Sequence, residues 1–204
     1  MSTAGPAIVD GNKVDNPGNT CAVSPLRVIH TVRVADALLR LRRSCATIAA
    51  GLEVQRMDRI ERAVSCFNEG FSCSQAVASA YGPGLGLSRE LALKVSGPFG
   101  GGMASMGETC GAVAGAFMVI GLRHGRTRAE DEDTKQRAYG LVREFVDQFK
   151  SRNGSIVCRE LLGCDLGTPE GQLLAEEKGF HTTRCPKFVQ DAAEIIEQIL
   201  DLGA

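Results

Sequence analysis

The sequence has no tryptophan and only two tyrosines in 204 residues, so it offers little aromatic surface on which nucleic-acid bases could stack. Neither charge is in surplus. The formal net charge of -1 removes the electrostatic footprint of a nucleic-acid binder. The longest apolar run, Gly111 to Leu122, falls short of the roughly 20 residues that a membrane-spanning helix needs. The N-terminus has no basic start followed by an apolar segment, the pattern of a secretory signal. No Cys-x-x-Cys pair occurs, and no Cys-x-x-Cys-His, which excludes covalent c-type haem. The expectation is a cytoplasmic protein with no nucleic-acid partner and no membrane span.

Cysteine, in contrast, is abundant: Cys21, Cys45, Cys66, Cys73, Cys110, Cys158, Cys164 and Cys185. In a reducing compartment, grouped cysteines more often bind metal or do catalysis than form structural disulfides. A chain of this length also buries enough surface to fold without such staples.

Residues 1–56 differ from the rest. Met1 to Pro25 is rich in Gly, Pro, Asn, Ser and Thr and keeps no period, which reads as a disordered extension. Val32 to Leu41 has the pattern of a short basic helix, with Val34, Leu38, Leu39 and Leu41 roughly on one face and Arg40, Arg42 and Arg43 beside them. This extension reads either as a partner-binding or membrane-surface arm or as sequence upstream of a natural start at Met57, and we favour the second.

From Met57 to residue 204 the period is helical throughout. Ile60, Ala63, Val64 and Phe67 share a face, and a second helix runs from Cys73 until Gly82-Pro83-Gly84 stops it near Tyr81. Ser88 is positioned to cap a short helix over Arg89–Val95, and Thr168 another through Glu177. Thr109 to Gly121 is apolar nearly all round, which predicts a central buried helix. Its small residues, Gly111, Ala112, Ala114, Gly115 and Ala116, permit close approach by a neighbouring helix or by a twin in a homodimer. Asp131 to Lys150 carries a stripe of Ala138, Leu141, Val142, Phe145, Val146 and Phe149. Val157–Leu162 reads as a short turn or helix and Pro186–Leu200 as the last helix. No strand-like alternation of useful length is present. The predicted fold is all-α, a compact helical bundle around the small-residue helix.

Four cysteines fall at helix starts: Cys73, Cys110, Cys158 and Cys185. Positive dipole ends and free N–H groups at such positions favour thiolates, and cysteine thiolates are the usual protein ligands of iron–sulfur clusters. Gly97-Pro98-Phe99-Gly100-Gly101-Gly102-Met103 leads toward Cys110. The backbone N–H groups of Gly100, Gly101, Gly102 and Gly111 are candidate donors to the sulfur atoms of a bound cofactor. The same loop lacks the Lys-Ser/Thr ending of a P-loop. Cys66 reads as a buried small hydrophobe, Cys21 and Cys45 receive no role, and Cys164 is a reserve ligand or a resolving thiol.

These stretches resemble a known family. Gly70-Phe-Ser-Cys-Ser-Gln-Ala-Val77, Gly100-Gly-Gly-Met103, Met106-Gly-Glu-Thr-Cys-Gly-Ala-Val-Ala-Gly115, Cys158-Arg-Glu-Leu-Leu-Gly-Cys-Asp165 and Cys185-Pro186 are similar to the redox-active family labelled C_GCAxxG_C_C. The resemblance runs from about Met57 to Leu200. It implies a redox role, and a relation to the cluster-bearing part of split-Soret cytochromes. The leading expectation is therefore an electron-transfer module with an unidentified redox partner protein, whose iron–sulfur cluster is held by Cys73, Cys110, Cys158 and Cys185. A thiol–disulfide oxidoreductase cycling two of these cysteines is the alternative. A structural zinc site ranks third, because close cysteine pairs are missing.

Overall fold

The computed structural model describes residues 58–201. The basic helix expected at 32–41, the rest of the extension, and Cys21 and Cys45 lie outside them. Helix α1 spans Arg59–Asn68, α2 Cys73–Tyr81, α3 Arg89–Ser96, α4 Gly111–His124, α5 Glu132–Asn153, α6 Cys158–Leu162, α7 Pro169–Glu177, α8 Phe180–Thr183 and α9 Cys185–Leu200. Short 3-10 turns at Gly82–Leu85 and Gly97–Phe99 follow α2 and α3. Among the described residues no β-strand forms; one isolated antiparallel bridge joins Thr109 to Val157. The fold is all-helical, as the periodicity predicts.

Local chemistry fixes the helix ends. The side chains of Asp58, Ser88, Asp131 and Thr168 accept backbone N–H groups in the first turns of α1, α3, α5 and α7, meeting donors that have no intrahelical partner. Ser72 and Gln75 form a reciprocal capping box at the start of α2, which sets the direction in which Cys73 leaves the chain.

Helix α4 is the hub. Gly111 through Ala116, Val119 and Ile120 are buried, and α2, buried along all but Gln75, packs against it. The crossing is close because Gly115 has no side chain: a Cβ there would lie 2.9 Å from the Ser74 carbonyl oxygen. The small-residue face of α4 is thus packed by α2. On the other side α5 brings Phe145 and Phe149, whose rings are 5.8 Å apart. Phe117 of α4 meets Phe145 edge-on at 5.9 Å, and Phe188 of α9 meets Phe149 at 6.5 Å. Helix α9 closes the bundle with Val189, Ala192, Ile195 and Ile196 inward. It is tied to α2 by the Tyr81 hydroxyl donating to the Ala193 carbonyl at 3.0 Å, and to α1 by the Arg59–Glu197 ion pair at 2.7 Å. Among the described residues no helix is long and apolar enough to cross a membrane.

Candidate functional site

Cys73, Cys158 and Cys185 are the first residues of α2, α6 and α9, and Cys110 immediately precedes α4. Residues up to 37, 48 and 27 positions apart in sequence thereby meet around one cavity of about 870 Å³, which all four cysteines line. All four are buried, between 3% and 9% exposed, and all are free thiols. Cys66 is buried elsewhere, its sulfur 3.4 Å from the Ser79 hydroxyl, in keeping with a core role. Cys164 is half-buried and does not line the cavity.

The approach of Cys110 to Cys158 comes from a short antiparallel pairing. Cys110 N–H donates to Ile156 at 2.8 Å, Cys158 N–H to Glu108 at 2.6 Å, and Arg159 N–H to Gly107 at 3.0 Å. The loop before it follows an unusual path. Gly101, Gly102, Met103, Ala104 and Ser105 all have φ between 50° and 70°. A run of left-handed residues is unfavourable wherever a Cβ is present. Carbonyls along it are bonded back across the loop, with Ala104 N–H to Pro98 at 2.8 Å and Glu108 N–H to Gly102 at 2.9 Å. Gly100, Gly101 and Gly111 line the cavity, whereas Gly102 is buried behind Cys158. Among the described residues the N–H groups of Gly101 and Gly102 have no acceptor.

Arg159 is a site residue that periodicity and spacing do not single out. Its guanidinium donates to the carbonyls of Gly107 at 3.1 Å and Met106 at 3.2 Å, pairs with Asp165 at 3.1 Å, and pairs with Glu108. One planar fork thus holds the Cys110 loop against the helix that carries Cys158. The only sequence signal for it is adjacency to Cys158. Gln75, another flanking residue, is bonded to Ser72 and to the Leu93 carbonyl, so it is a structural tie between α2 and α3.

Burial outweighs the helix-start effect at Cys110, and the neighbouring sulfurs and burial raise Cys73 and Cys158 as well. The N–H groups of Ala112 and Val113 do pull the Cys110 pKa down, yet desolvation pushes it up to about 11. Desolvation, with the nearby Cys110 and Cys185, pushes Cys158 up to about 12. The sulfurs of Cys73 and Cys185 act on each other, so Cys73 shifts up, with burial adding to the rise, and Cys185 shifts down. The thiolate character expected at Cys73, Cys110 and Cys158 is thus opposed in the thiol state, and only Cys185 is shifted toward thiolate. A raised pKa favours the neutral thiol in the folded state, so this stability is full below the ordinary thiol range and is lost as pH rises through 11 and 12. The matching kinetic expectation concerns alkylation of Cys110 by iodoacetamide in metal-free protein. It should rise about tenfold per pH unit between about pH 7 and 10, where an ordinary thiol of pKa about 8.5 levels off. Peptide mass spectrometry of the labelled site reads this, and a plateau near pH 9 would show that desolvation does not control the thiol.

Among the described residues no three His, Cys, Asp or Glu side chains converge on a single ion position. A tetrahedral zinc needs its sulfurs within about 4 Å of one another, given Zn–S bonds near 2.3 Å, so the zinc reading lacks its donor geometry. A cluster interposes several irons and sulfides between thiolates, and an all-cysteine donor set is the one such clusters take. The donor chemistry of the cavity fits that group.

An all-helical bundle whose four buried cysteines share one cavity defines a cysteine-based redox protein. The family comparison agrees: the model described as "Putative redox-active protein (C_GCAxxG_C_C)" matches residues 71–199. The chain belongs to the C_GCAxxG_C_C family. No curated protein and no solved structure matches it.

Proposed function

We propose that Cys73, Cys110, Cys158 and Cys185 hold an iron–sulfur cluster and that the protein is an electron-transfer module. The observation that carries this reading is the gathering of four buried cysteines, one from each of four helix starts, around a single cavity. When bound, such a cluster supplies one-electron transfer. The chain's own contribution is the setting. Leu161, Leu162 and Phe188 line the cavity beside the sulfurs and limit water. The free N–H group of Gly101, which lines the cavity, is a donor for sulfur, of the kind that tunes a potential. The raised thiols must release protons when they become ligands, so loading is favoured by rising pH. Protein purified without oxygen is expected to be coloured and to contain both iron and acid-labile sulfide. A colourless product that stays free of iron after reconstitution would falsify the reading.

A second reading rests on Cys73 and Cys185, which line the same cavity and shift each other in opposite directions, Cys73 up and Cys185 down. A lowered thiolate beside a protonated partner is the arrangement of a dithiol that closes to a disulfide. Thiol counting in metal-free protein before and after mild oxidation distinguishes the two, since this reading requires the loss of two thiols.

A further inference from the structure

The cysteines occupy only the buried end of the cavity. The other end reaches the surface between the Ala104–Ser105 loop, α7 and α8, where Gln172, Glu176 and Thr182 are exposed. Between the two ends the walls are apolar and aromatic, with Phe71, Leu166 and Phe180 half-buried and Phe188 buried. The cavity of about 870 Å³ lies in the range of roughly 300–1,000 Å³ that takes small organic ligands.

The lining also selects by charge. It contains no lysine or arginine; its one carboxylate, Glu176, and its one histidine, His181, are exposed at the mouth, and the His181 ring is stacked on Phe67 at 5.2 Å. A phosphate, sulfonate or carboxylate entering it would lose water and meet no arginine or lysine counter-charge. A cation fares no better. The Phe180 ring already carries Arg184 at 4.4 Å and the Phe71 ring carries Arg89 at 5.6 Å, so their capacity for cation–π attraction is in use. Both arginines are also held elsewhere, Arg184 by the Leu162 carbonyl at 2.8 Å and Arg89 by Glu69 at 3.6 Å. They fix the two rings from outside the cavity lining. What such walls accept is a flat, neutral ring that stacks on them.

We propose that the outer part of this cavity binds an uncharged, ring-containing small molecule, placed by Phe71 and Phe180 against the four-cysteine end. The inference does not depend on the iron–sulfur reading, because it concerns the aromatic walls and not the sulfurs.

A matched pair of fluorescent probes tests it on the full-length protein, whose lack of tryptophan leaves a low emission background. N-phenyl-1-naphthylamine is neutral; 1-anilinonaphthalene-8-sulfonate is the same skeleton with a sulfonate. The neutral probe is expected to bind saturably with about one site per chain, and at least tenfold more tightly than the anion. Phe180→Ala should weaken the neutral probe at least fivefold. Ala175→Phe, which fills the cavity from the partly exposed face of α7, should do the same without touching the core. Gln172→Lys should narrow the gap by strengthening anion binding. Circular dichroism checks that each variant is folded, and Ala175→Phe carries the test if Phe180→Ala is not. The proposal is overturned if both probes bind equally to the wild type. It is equally overturned if Ala175→Phe leaves binding unchanged, or if Leu91→Ser on the exposed face of α3 abolishes it, which would place the probe on the surface.

Discussion

Replacing Cys158 by serine is expected to lower bound iron and sulfide more than tenfold and to remove the visible absorption of anaerobically prepared protein. Serine is nearly isosteric, so the helix start and its bond from Cys158 N–H to Glu108 persist while the ligand is lost. An alkoxide is a far weaker partner for iron than a thiolate at neutral pH, where thiolates are the usual cluster ligands. Cys73→Ser, Cys110→Ser and Cys185→Ser should behave alike. Cys66→Ser should keep its iron, because Cys66 packs in the core beside Ser79, and Cys164→Ser should keep it too, since Cys164 does not line the cavity. The same series separates the two redox readings. Cys110→Ser abolishes loading but leaves Cys73 and Cys185 in the cavity lining, so a dithiol–disulfide couple would survive it. Iron retained in Cys158→Ser at the wild-type level would remove Cys158 from the ligand set.

What was legible in the sequence was whatever depends on local order. The stripe of Ala138, Phe145 and Phe149 is buried in α5, and Ser88 and Thr168 cap the helices assigned to them, because period and caps are read within one or two turns. The positions of the four cysteines at helix starts follow for the same reason. Three features needed the folded chain. The elevated pKa of Cys110 arises from burial by residues distant in sequence, and no local pattern carries a desolvation cost. Arg159 works through Glu108, Met106 and Gly107, about fifty residues earlier. The left-handed path at Met103, Ala104 and Ser105 runs against the preference of these residues, so a reading of propensity points away from it. Such strain is tolerated where the surroundings over-determine the backbone, and here the loop is bonded across itself and clamped by Arg159.

That clamp makes Gly102 the residue with the least latitude in the loop, and Gly102→Ala is expected to destabilise the protein by about 2–5 kcal/mol. Two effects add. Its φ of +70° disfavours any residue with a Cβ, and the added carbon would lie 2.6 Å from the Cys158 Cβ and 2.8 Å from the Glu108 nitrogen. Neither contact is with the end of a flexible side chain, so relief requires the Glu108 backbone or α6 to move. Gly163→Ala isolates the first effect. Its φ is also +70°, but a Cβ there meets nothing within 4 Å, so it should lose only the conformational part, about 1–2 kcal/mol. For a chain of this size the larger loss corresponds to a fall in melting temperature of roughly 5–15 °C. The damage should also be directional. Pushing α6 away separates Cys158 from Cys110, so Gly102→Ala should alkylate faster at Cys158 at temperatures where it is still folded, while Gly163→Ala should not. Equal melting temperatures and equal labelling in the two variants would mean that the left-handed loop is a passive connection. The expected inequality would mean that its path, unfavourable residue by residue, is what lets the backbone beside one cysteine pass within van der Waals contact of the next.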